Sequence, residues 1–387
     1  MKISYILDTA MSWQSGIWWH RNEIPMRALA KRGHGVNHLP IKSQMSQAEM
    51  DFPDTVIFGR TYPTAFNPVA LMRDYKKLGK RVLYDMDDDF WQVAKDNPSV
   101  LVSNAYKDQY EGMVKEADAL ITPSKELAKK FKKFKKPVFI CPNGIDYGEY
   151  KERPHNNFGY KEIIEGEHKG YYKKEQSLVI GYMGAASHWL DLMVMMDALI
   201  ELNRKYDFVF NVYGMTGDAI DAAMYLYKRY YEGNYQPEKN AYFIAALNFY
   251  DKLKQLSGKH IPFYPPALHP NKLTECDFDI GLAPLEDTEF NRGKSCIKFY
   301  ECAAVGTPCL TSDVEPYKSE VSYRAKNTTK DWVKKLEKLI VDKEFREKLG
   351  KEQSEWVKKN RSLEAIGLDW ELAVQRPGGL KVLNQQR

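Results

Sequence analysis

Two lysines and a glutamate lie at helical spacing in the last third of the 387-residue chain. A helix that begins near Ser295 places Lys294, Lys298 and Glu301 on one face, because residues three and four apart are neighbours on a helix. The free N–H groups at a helix N-terminus attract anions, and two ammonium groups beside them reinforce that attraction. The pattern predicts a diphosphate site with a nearby carboxylate that accepts hydrogen bonds from sugar hydroxyls. It is also typical of an ordinary solvated helix face.

Glycines and a histidine at two other strand ends are candidates for the same site. Gly184 and His188 follow a predicted strand at Leu178–Tyr182, and Gly16 follows the first predicted strand. Glycine lets a backbone come close to phosphate oxygens, and histidine supplies positive charge when it is protonated. As an alternative, His188 occupies a solvent-facing position at the start of a helix.

An acidic run, Asp85 to Asp89, follows a predicted strand in the first third of the chain. Clustered carboxylates repel each other, so at least one pKa rises unless a cation lies between them. Such a group can bind or deprotonate a hydroxyl, and the run can also hold a metal ion. We single out Asp87 and Asp88 as candidates of this kind. As an alternative, an acidic run is what the dipole of a helix N-terminus favours.

Short apolar strands and longer helices alternate along the chain and must position these residues. The alternation predicts right-handed βαβ units, and hence an α/β fold with two doubly wound, Rossmann-like parallel sheets. The predicted division is a domain at 1–150, a polar linker at 151–176, a domain at 177–360 and a last segment at 361–387. Ligands bind outside the carboxyl ends of such strands, so we expect the site in the cleft between the domains. The predicted strands are Ile3–Leu7, Val36–Leu39, Val56–Phe58, Arg81–Tyr84, Ala119–Ile121, Val138–Cys141, Leu178–Tyr182, Phe208–Val212, Tyr242–Ala245, Ile261–Tyr264, Phe278–Leu282 and Cys309–Leu310.

The composition is that of an ordinary globular protein, with 43% hydrophobic and 28% charged residues, which excludes a disordered or coiled-coil chain. The net charge of +5 permits an anionic partner without requiring nucleic acid. No apolar run approaches the roughly 18 residues of a membrane span. Five cysteines without a C-x-x-C pair indicate free thiols in a reducing compartment, so we expect a cytoplasmic protein. The absence of G-x-G-x-x-G argues against a nicotinamide enzyme.

Several segments resemble the GT-B glycosyltransferases, in particular the retaining nucleotide-sugar enzymes of the family-4 type. The run Cys141-Pro-Asn-Gly-Ile-Asp146 is similar to the V-I-P-N-G-I-D signature that precedes the linker between the two domains of that family. Glu301, followed by Ala303-Ala-Val-Gly-Thr-Pro308, matches the second half of its E-x7-E and A-x-G-x-P motif, whereas the first Glu falls on Gly293. The segment from Ile180 to Leu192 resembles the opening strand and loop of the family's second domain.

The resemblance implies a GT-B fold, with two Rossmann-like domains facing each other across a cleft and a C-terminal helix at 361–387 that crosses back to the first domain. It implies sugar transfer, with retention, from a UDP- or GDP-sugar co-substrate that lies on the second domain. No tightly bound cofactor and no divalent metal are expected, and the acceptor enters past the acidic run. The implied donor-binding residues are Gly16, Gly184, Asn291, Lys294, Lys298 and Glu301, the last holding the ribose, and the implied catalytic residues are His188, Lys298, Asp87 and Asp88.

Several alternatives stay open at this point. Gly293 in place of the first Glu leaves retention and inversion open, and the Asp-x-Asp string at Asp85–Asp89 also suits a metal-dependent GT-A enzyme. The acceptor is a glycan, a lipid-linked sugar, a protein or a modified DNA base. The basic helix over Lys125–Lys136 is either a contact for a membrane surface or DNA, or a solvated surface helix. A nucleotide-sugar epimerase or phosphorylase and a non-catalytic binding protein are the rival classes.

Overall fold

The computed structural model describes residues 1–7, 15–42, 44–60, 67–93, 99–150, 161–162, 177–185, 188–214, 239–258, 260–261, 269–270, 273 and 277–375, with the backbone alone for 99–105, 161–162 and 260–261. Strands and helices alternate through these residues and form two sheets. None of the helices in these ranges is long and apolar enough to cross a membrane.

The first sheet has six parallel strands in the order β2-β1-β3-β4-β5-β6. The strand order reverses between β1 and β3, because the chain first adds a strand on one side of β1 and then continues on the other side. All residues of β3 and β5 are buried, as expected for parallel strands that helices cover on both faces. The strands are β1 (Lys2–Leu7), β2 (Gly35–Pro40), β3 (Thr55–Phe58), β4 (Arg81–Asp85), β5 (Ala119–Thr122) and β6 (Val138–Ile140).

Most helices around this sheet begin at a polar cap. Ser46, Asn67 and Ser124 accept hydrogen bonds from backbone N–H groups in the first turns of their helices. The first helix differs, because it opens with a π-helical segment, Trp18–Glu23, a feature that often occurs at functional sites. The helices are α1 (Ile24–Lys31), α2 (Gln47–Asp51), α3 (Pro68–Lys77), α4 (Ser99–Glu116) and α5 (Lys125–Phe131), which continues into a 3-10 turn at Lys132–Phe134.

The second sheet has parallel strands in the order β10-β9-β8-β11-β12-β13, and β7 adds to β9 in the antiparallel direction. Here the strand order reverses between β8 and β11. Its strands are β7 (Lys161–Glu162), β8 (Leu178–Met183), β9 (Tyr206–Tyr213), β10 (His260–Ile261), β11 (Ile280–Ala283), β12 (Cys309–Ser312) and β13 (Arg324–Ala325). The accompanying helices are α6 (Trp189–Asn203), α7 (Ala241–Leu253), α8 (Glu289–Arg292), α9 (Ile297–Ala304), α10 (Thr329–Val341) and α11 (Lys343–Arg361).

A final helix, α12 (Leu363–Gln375), packs on the first sheet instead of the second. Its Ile366 and Trp370 share an apolar cluster with Ile3 and Leu29, and its main helical neighbour is α1. Three other apolar clusters fill the remaining faces of the two sheets. The last helix therefore completes the core of the first sheet and ties the two halves of the chain together.

The predicted α/β class with two doubly wound sheets is confirmed. The strand predicted at Tyr242–Ala245 is wrong, because these residues form the first turns of α7, which Asn240 caps. The predicted linker lies outside the described residues except for β7, and so do residues 376–387. The domain boundaries at 150, 177 and 360 stay a prediction.

Candidate functional site

Both sheets place candidate residues where their strand order reverses. In the second sheet, His188 follows β8 and Glu286 follows β11, the two strands that flank the reversal. In the first sheet, His20 lies on the π-helical segment after β1, and Arg60 lies just after β3. Parallel sheets bind ligands at such points because a crevice forms outside the strand ends. A contact between His20 and Glu301 of α9 brings the two sheet edges together.

Lys298 and Lys294 form the cationic part of the site. Lys298 lies on α9, with Nζ 3.4 Å from Nε2 of His188 and 5.9 Å from the ring centre of Tyr182. Lys294 precedes the helix, and its Nζ lies 5.0 Å from the ring centre of Phe290. Burial, together with the nearby charge of Lys294, lowers the pKa of Lys298 to about 8. A bound anion would relieve this repulsion.

His188 is held by Asp191, one helical turn further along α6. Nδ1 of His188 lies 2.6 Å from Oδ2 of Asp191. Burial acts to raise the pKa of Asp191, but the hydrogen bond from His188, the charge of Lys294 and the backbone N–H of Glu286 lower it, so the carboxylate only accepts hydrogen bonds. Nδ1 of His188 therefore carries the ring proton, and Nε2 presents its lone pair to Lys298. Burial, followed by the charges of Lys298 and Lys294, lowers the pKa of His188 to about 4, so the ring is neutral at pH 7.

Asp191 also joins the loop after β11 to α8. Its Oδ1 accepts a hydrogen bond of 2.8 Å from the backbone N–H of Glu286 and one of 3.0 Å from Nδ2 of Asn291. Nδ2 of Asn291 also donates a hydrogen bond of 3.0 Å to the carbonyl of Glu286. The amide donor of Asn291, a predicted donor-binding residue, is thus used to hold Asp191.

Gly184 makes room for the cationic side chain behind it. A Cβ at this position would lie 2.4 Å from Oη of Tyr182 and 2.9 Å from Cε of Lys298. The N–H of Gly184 donates to the carbonyl of Tyr213 at 3.1 Å, so the contribution seen here is space for Lys298 and not a free N–H. Gly16, the other predicted glycine, lies at the start of the first helix, where Ser15 Oγ accepts the N–H of Trp18 at 3.1 Å.

Glu301 is only 4% exposed, and two histidines share one of its oxygens. Nδ1 of His269 lies 2.9 Å and Nε2 of His20 3.6 Å from Oε1 of Glu301. Burial acts in the opposite direction, but His269 and His20 lower the pKa of Glu301, which is therefore ionised at neutral pH. Burial also lowers the pKa of His20 to about 4. The alternative of a solvated helix face is wrong for Glu301, because the cleft encloses this end of α9.

Gly293, at the position of the first Glu of the motif, lies against the first half of the chain. Its carbonyl accepts a hydrogen bond of 2.7 Å from Oγ of Ser124, the cap of α5. A Cβ at position 293 would lie 2.9 Å from Cδ2 of Leu127. A side chain at position 293 therefore requires the side chain of Leu127 to shift. The departure from the motif thus coincides with a close contact across the cleft.

The basic helix over Lys125–Lys136 takes part in the same contact. Nζ of Lys130 donates to the carbonyl of Glu289 at 2.7 Å and lies 3.1 Å from Oδ2 of Asp89. Lys136 donates to two backbone carbonyls at the end of α4, at 2.7 and 2.8 Å. These two lysines are therefore engaged within the chain.

A buried chain of hydrogen bonds joins the first sheet to the start of α9. Asp85, at the end of β4, accepts from Oη of Tyr5 at 2.6 Å and from Nε of Arg21 at 3.0 Å. Nη1 of Arg21 donates to Oδ1 of Asn143 at 2.8 Å. This orients the amide so that Nδ2 of Asn143 donates to Oγ of Ser295 at 2.8 Å. Asn143 thus connects the core of the first sheet to the helix that carries Lys298.

Asp87 and Asp88 share the guanidinium group of Arg60. Nη2 of Arg60 lies 3.2 Å from Oδ1 of Asp87 and 2.6 Å from Oδ2 of Asp88. Burial raises the pKa of Asp87 to about 6, with Arg60 opposing the rise and Asp88 adding to it. Among the described residues, no group of three or more acidic, histidine or cysteine side chains is arranged to hold a metal ion.

Four residues of the site were not predicted from the sequence. Asp191 follows His188 by three residues, a helical spacing that gives a usable signal. His269 gives no such signal, since it is 32 residues from Glu301 and meets it only in the folded chain. Arg60 and Arg21 are ordinary charged residues in sequence, and only burial beside carboxylates distinguishes them.

The chain as a whole is similar in fold to solved glycosyltransferase structures. Anabaena HepE, solved with UDP and glucose, is 10% identical, with a TM-score of 0.60 over 97% of this chain and 99% of that one. A glycosyltransferase from Rickettsia africae ESF-5 is 13% identical, with a TM-score of 0.59 and the same coverage of both chains. The fold is GT-B. The predicted GT-B architecture is therefore confirmed.

A third GT-B structure, an alpha-glucosyltransferase solved with UDP and a 13-mer DNA that contains a central A:G mismatch, is 13% identical. Its TM-score is 0.58 over 97% of this chain and 99% of that one. No protein-family profile and no curated protein matches the sequence. At such low identities the likeness establishes the GT-B fold and leaves substrates to be argued from the site.

Proposed function

We propose that the protein is a glycosyltransferase that moves a sugar from a nucleoside-diphosphate-sugar to an acceptor hydroxyl. The observation that carries the proposal is the arrangement of Lys298, Lys294 and His188 beside the buried carboxylate of Glu301, at the strand-order reversal of the second GT-B sheet. Cations suit a diphosphate, and a carboxylate one turn away suits ribose hydroxyls. The UDP in two of the similar GT-B structures supports the same class of donor.

On the donor side, we assign the leaving diphosphate to Lys298 and Lys294. Negative charge develops on this group as the glycosidic bond breaks, so fixed cations stabilise the transition state more than the bound donor. Asn291 acts indirectly, by holding the Asp191 carboxylate that orients His188. Gly16 opens the helix that faces the donor from the first domain.

On the acceptor side, we assign Asp87 and Asp88 to the hydroxyl that attacks the sugar. They follow β4, the strand next to β3 in the first sheet, and the raised pKa of Asp87 suits a group that accepts a proton near neutral pH. Closure of the cleft excludes water, which matters because hydrolysis of the donor is the competing reaction. We further propose retention, metal independence and a cytoplasmic location, the last because the described cysteines are buried free thiols.

A thermal-shift panel of UDP, GDP, UDP-sugars and GDP-sugars, each with Mg²⁺ or with EDTA, tests the donor assignment. A nucleotide at about 100 times its Kd adds roughly 2.7 kcal/mol of stability, which raises Tm by several degrees. We expect the nucleotides of one base, either uracil or guanine, to raise Tm by the same amount in Mg²⁺ and in EDTA. A shift that requires Mg²⁺ would instead favour a metal site at Asp85–Asp89, and no shift with any nucleotide would overturn the proposal.

A modified base in duplex DNA is the second candidate acceptor. The fold likeness to an alpha-glucosyltransferase solved with DNA and the net charge of +5 favour it over a neutral small acceptor. Binding of duplex DNA that weakens steeply between 50 and 200 mM salt would support it, because phosphate contacts release counterions. Salt-independent or undetectable binding would exclude DNA. A product that is an isomer of the donor, with no free nucleoside diphosphate, would instead identify an epimerase.

A further inference from the structure

We infer that His188 takes up a proton when a nucleoside diphosphate binds, and so becomes a third cation of the site only when the anion is present. The inference rests on the proposed function and adds a proton linkage to it. It follows from the line of contacts Asp191–His188–Lys298 and from the charges that surround the imidazole.

The geometry leaves one ring nitrogen free to change its role. Nδ1 of His188 is committed to Asp191 at 2.6 Å, whether or not the ring is charged. Nε2 faces Nζ of Lys298 at 3.4 Å, a long contact in which the ring can only be the acceptor. A proton on Nε2 would turn this contact into a repulsion between two cations, so Nε2 stays unprotonated until an anion accepts its hydrogen bond.

The charges around His188 explain why the ring is neutral without an anion. The carboxylate of Asp191, on the same helix, faces the ring of His188. The ammonium groups of Lys298, on α9, and of Lys294, in the turn before α9, act on the ring from the other side of the site. The ring of Tyr182 in β8 lies beneath Lys298. Glu286, after β11, donates its backbone N–H to Asp191. Burial and the two lysines together outweigh Asp191 and lower the pKa of His188 to about 4.

A diphosphate reverses this balance. Its negative charges next to Lys294 and Lys298 cancel the repulsion at His188, and a phosphate oxygen accepts the hydrogen bond from Nε2. The proton comes from the buffer and goes to Nε2, and no covalent bond in the nucleotide changes. Linkage requires that a group whose pKa rises on binding makes binding tighter as the pH falls.

Calorimetry of UDP binding at pH 7.0, in buffers with different heats of ionisation, measures the protons taken up. We expect about half a proton or more per bound UDP. His188→Asn should remove this contribution from the number of protons taken up, while His38→Gln, a change at a histidine on the first sheet, leaves the number unchanged. Subtracting the proton uptake of His188→Asn from that of the wild type cancels the protons that the nucleotide and Lys298 exchange. If UDP does not bind, GDP is the probe.

Histidine NMR keeps the test open if His188→Asn binds too weakly. With 13C-labelled histidine, the resonance missing from the variant identifies His188, and it should move to the imidazolium position when UDP is added at pH 7.0. Tight UDP binding without proton uptake and without this shift overturns the inference but leaves the proposed function standing. If neither UDP nor GDP binds, the proposed function itself fails.

Discussion

Lys298 is the side chain on which the donor assignment depends most. Lys298→Met keeps most of the buried stem and removes the charge, so a phosphate oxygen loses a charge-assisted hydrogen bond worth about 1.5–3 kcal/mol. We expect UDP affinity to fall roughly 10- to 150-fold. Calorimetric titration with UDP checks this, with Lys351→Met on the exposed side of α11 as the matched control. Unchanged affinity in Lys298→Met would remove this residue from the donor site.

Asp87 separates the two substrates. Asp87→Asn should lower kcat at least tenfold while leaving UDP affinity unchanged, because a general base typically contributes 10²–10⁴-fold and the donor does not touch it. Asp87 acts as a base only when ionised, so the wild-type rate should fall as the pH drops below about 6, the pKa that burial gives this carboxyl. This acidic limb should be absent from the residual activity of the variant.

The control for this prediction is Asp108→Asn, on the exposed side of α4. It should leave both kcat and the pH profile as they are. Equal losses of kcat and UDP affinity in Asp87→Asn would show that Asp87 supports the fold of the cleft instead of the acceptor.

The contact between Gly293 and α5 predicts a coupling between two helices from opposite sides of the cleft. Gly293→Ala puts a methyl group 2.9 Å from Cδ2 of Leu127, and overpacking of this kind costs about 1–3 kcal/mol. We expect a lower Tm and a lower kcat. In a Leu127→Ala background, which removes the obstructing atoms, Gly293→Ala should have little further effect. Additive losses in the double variant would contradict the contact as the cause.

Elements with a clear period could be predicted from the sequence, and elements defined by tertiary contacts could not. The strands Ile3–Leu7 and Ala119–Ile121 are short apolar runs that the sheet buries within one residue of the predicted ends. The strand prediction for Tyr242–Ala245 is wrong because an aromatic, partly β-branched run has strand propensity. The burial of Tyr242 and Phe249 on one face of α7 favours the helix instead. The two-residue strand β13 was too short to give any pattern.

The same division applies to the site. Lys294, Lys298 and Glu301 share one short segment, so local spacing was enough to group them. His20 and His269 reach Glu301 from distant parts of the chain, and no local rule connects them. Alignment of homologous sequences would be needed to detect such pairs, because only the tertiary fold brings them within contact distance.

Two buried histidines should make the whole protein sensitive to acid. The pKa values of His20 and His188 are lowered from 6.5 to about 4 in the folded chain, chiefly by burial. The unfolded chain therefore binds more protons, and stability is lost as the pH falls from about 6.5 to 4. Asp87, with a pKa raised to about 6, acts in the opposite direction but is a single group.

Thermal unfolding across this pH range tests the prediction. We expect Tm to fall by a few degrees between pH 7 and pH 5, and the fall to be smaller in a His20→Asn, His188→Asn double variant. A Tm that falls equally in both proteins would assign the acid sensitivity to other groups.

The position of α12 determines when the first sheet can finish folding during synthesis. Ile366 and Trp370 bury the same apolar cluster as Ile3 and Leu29, although more than 300 residues separate them. The helix begins more than 220 residues after β6, the last strand of this sheet. Because ribosomes add about 5–20 residues per second, the sheet waits roughly 10–45 s for the helix that covers it. During that time its apolar face is available to chaperones and to other nascent chains. The half of the protein that leaves the ribosome first is thus the half that is completed last.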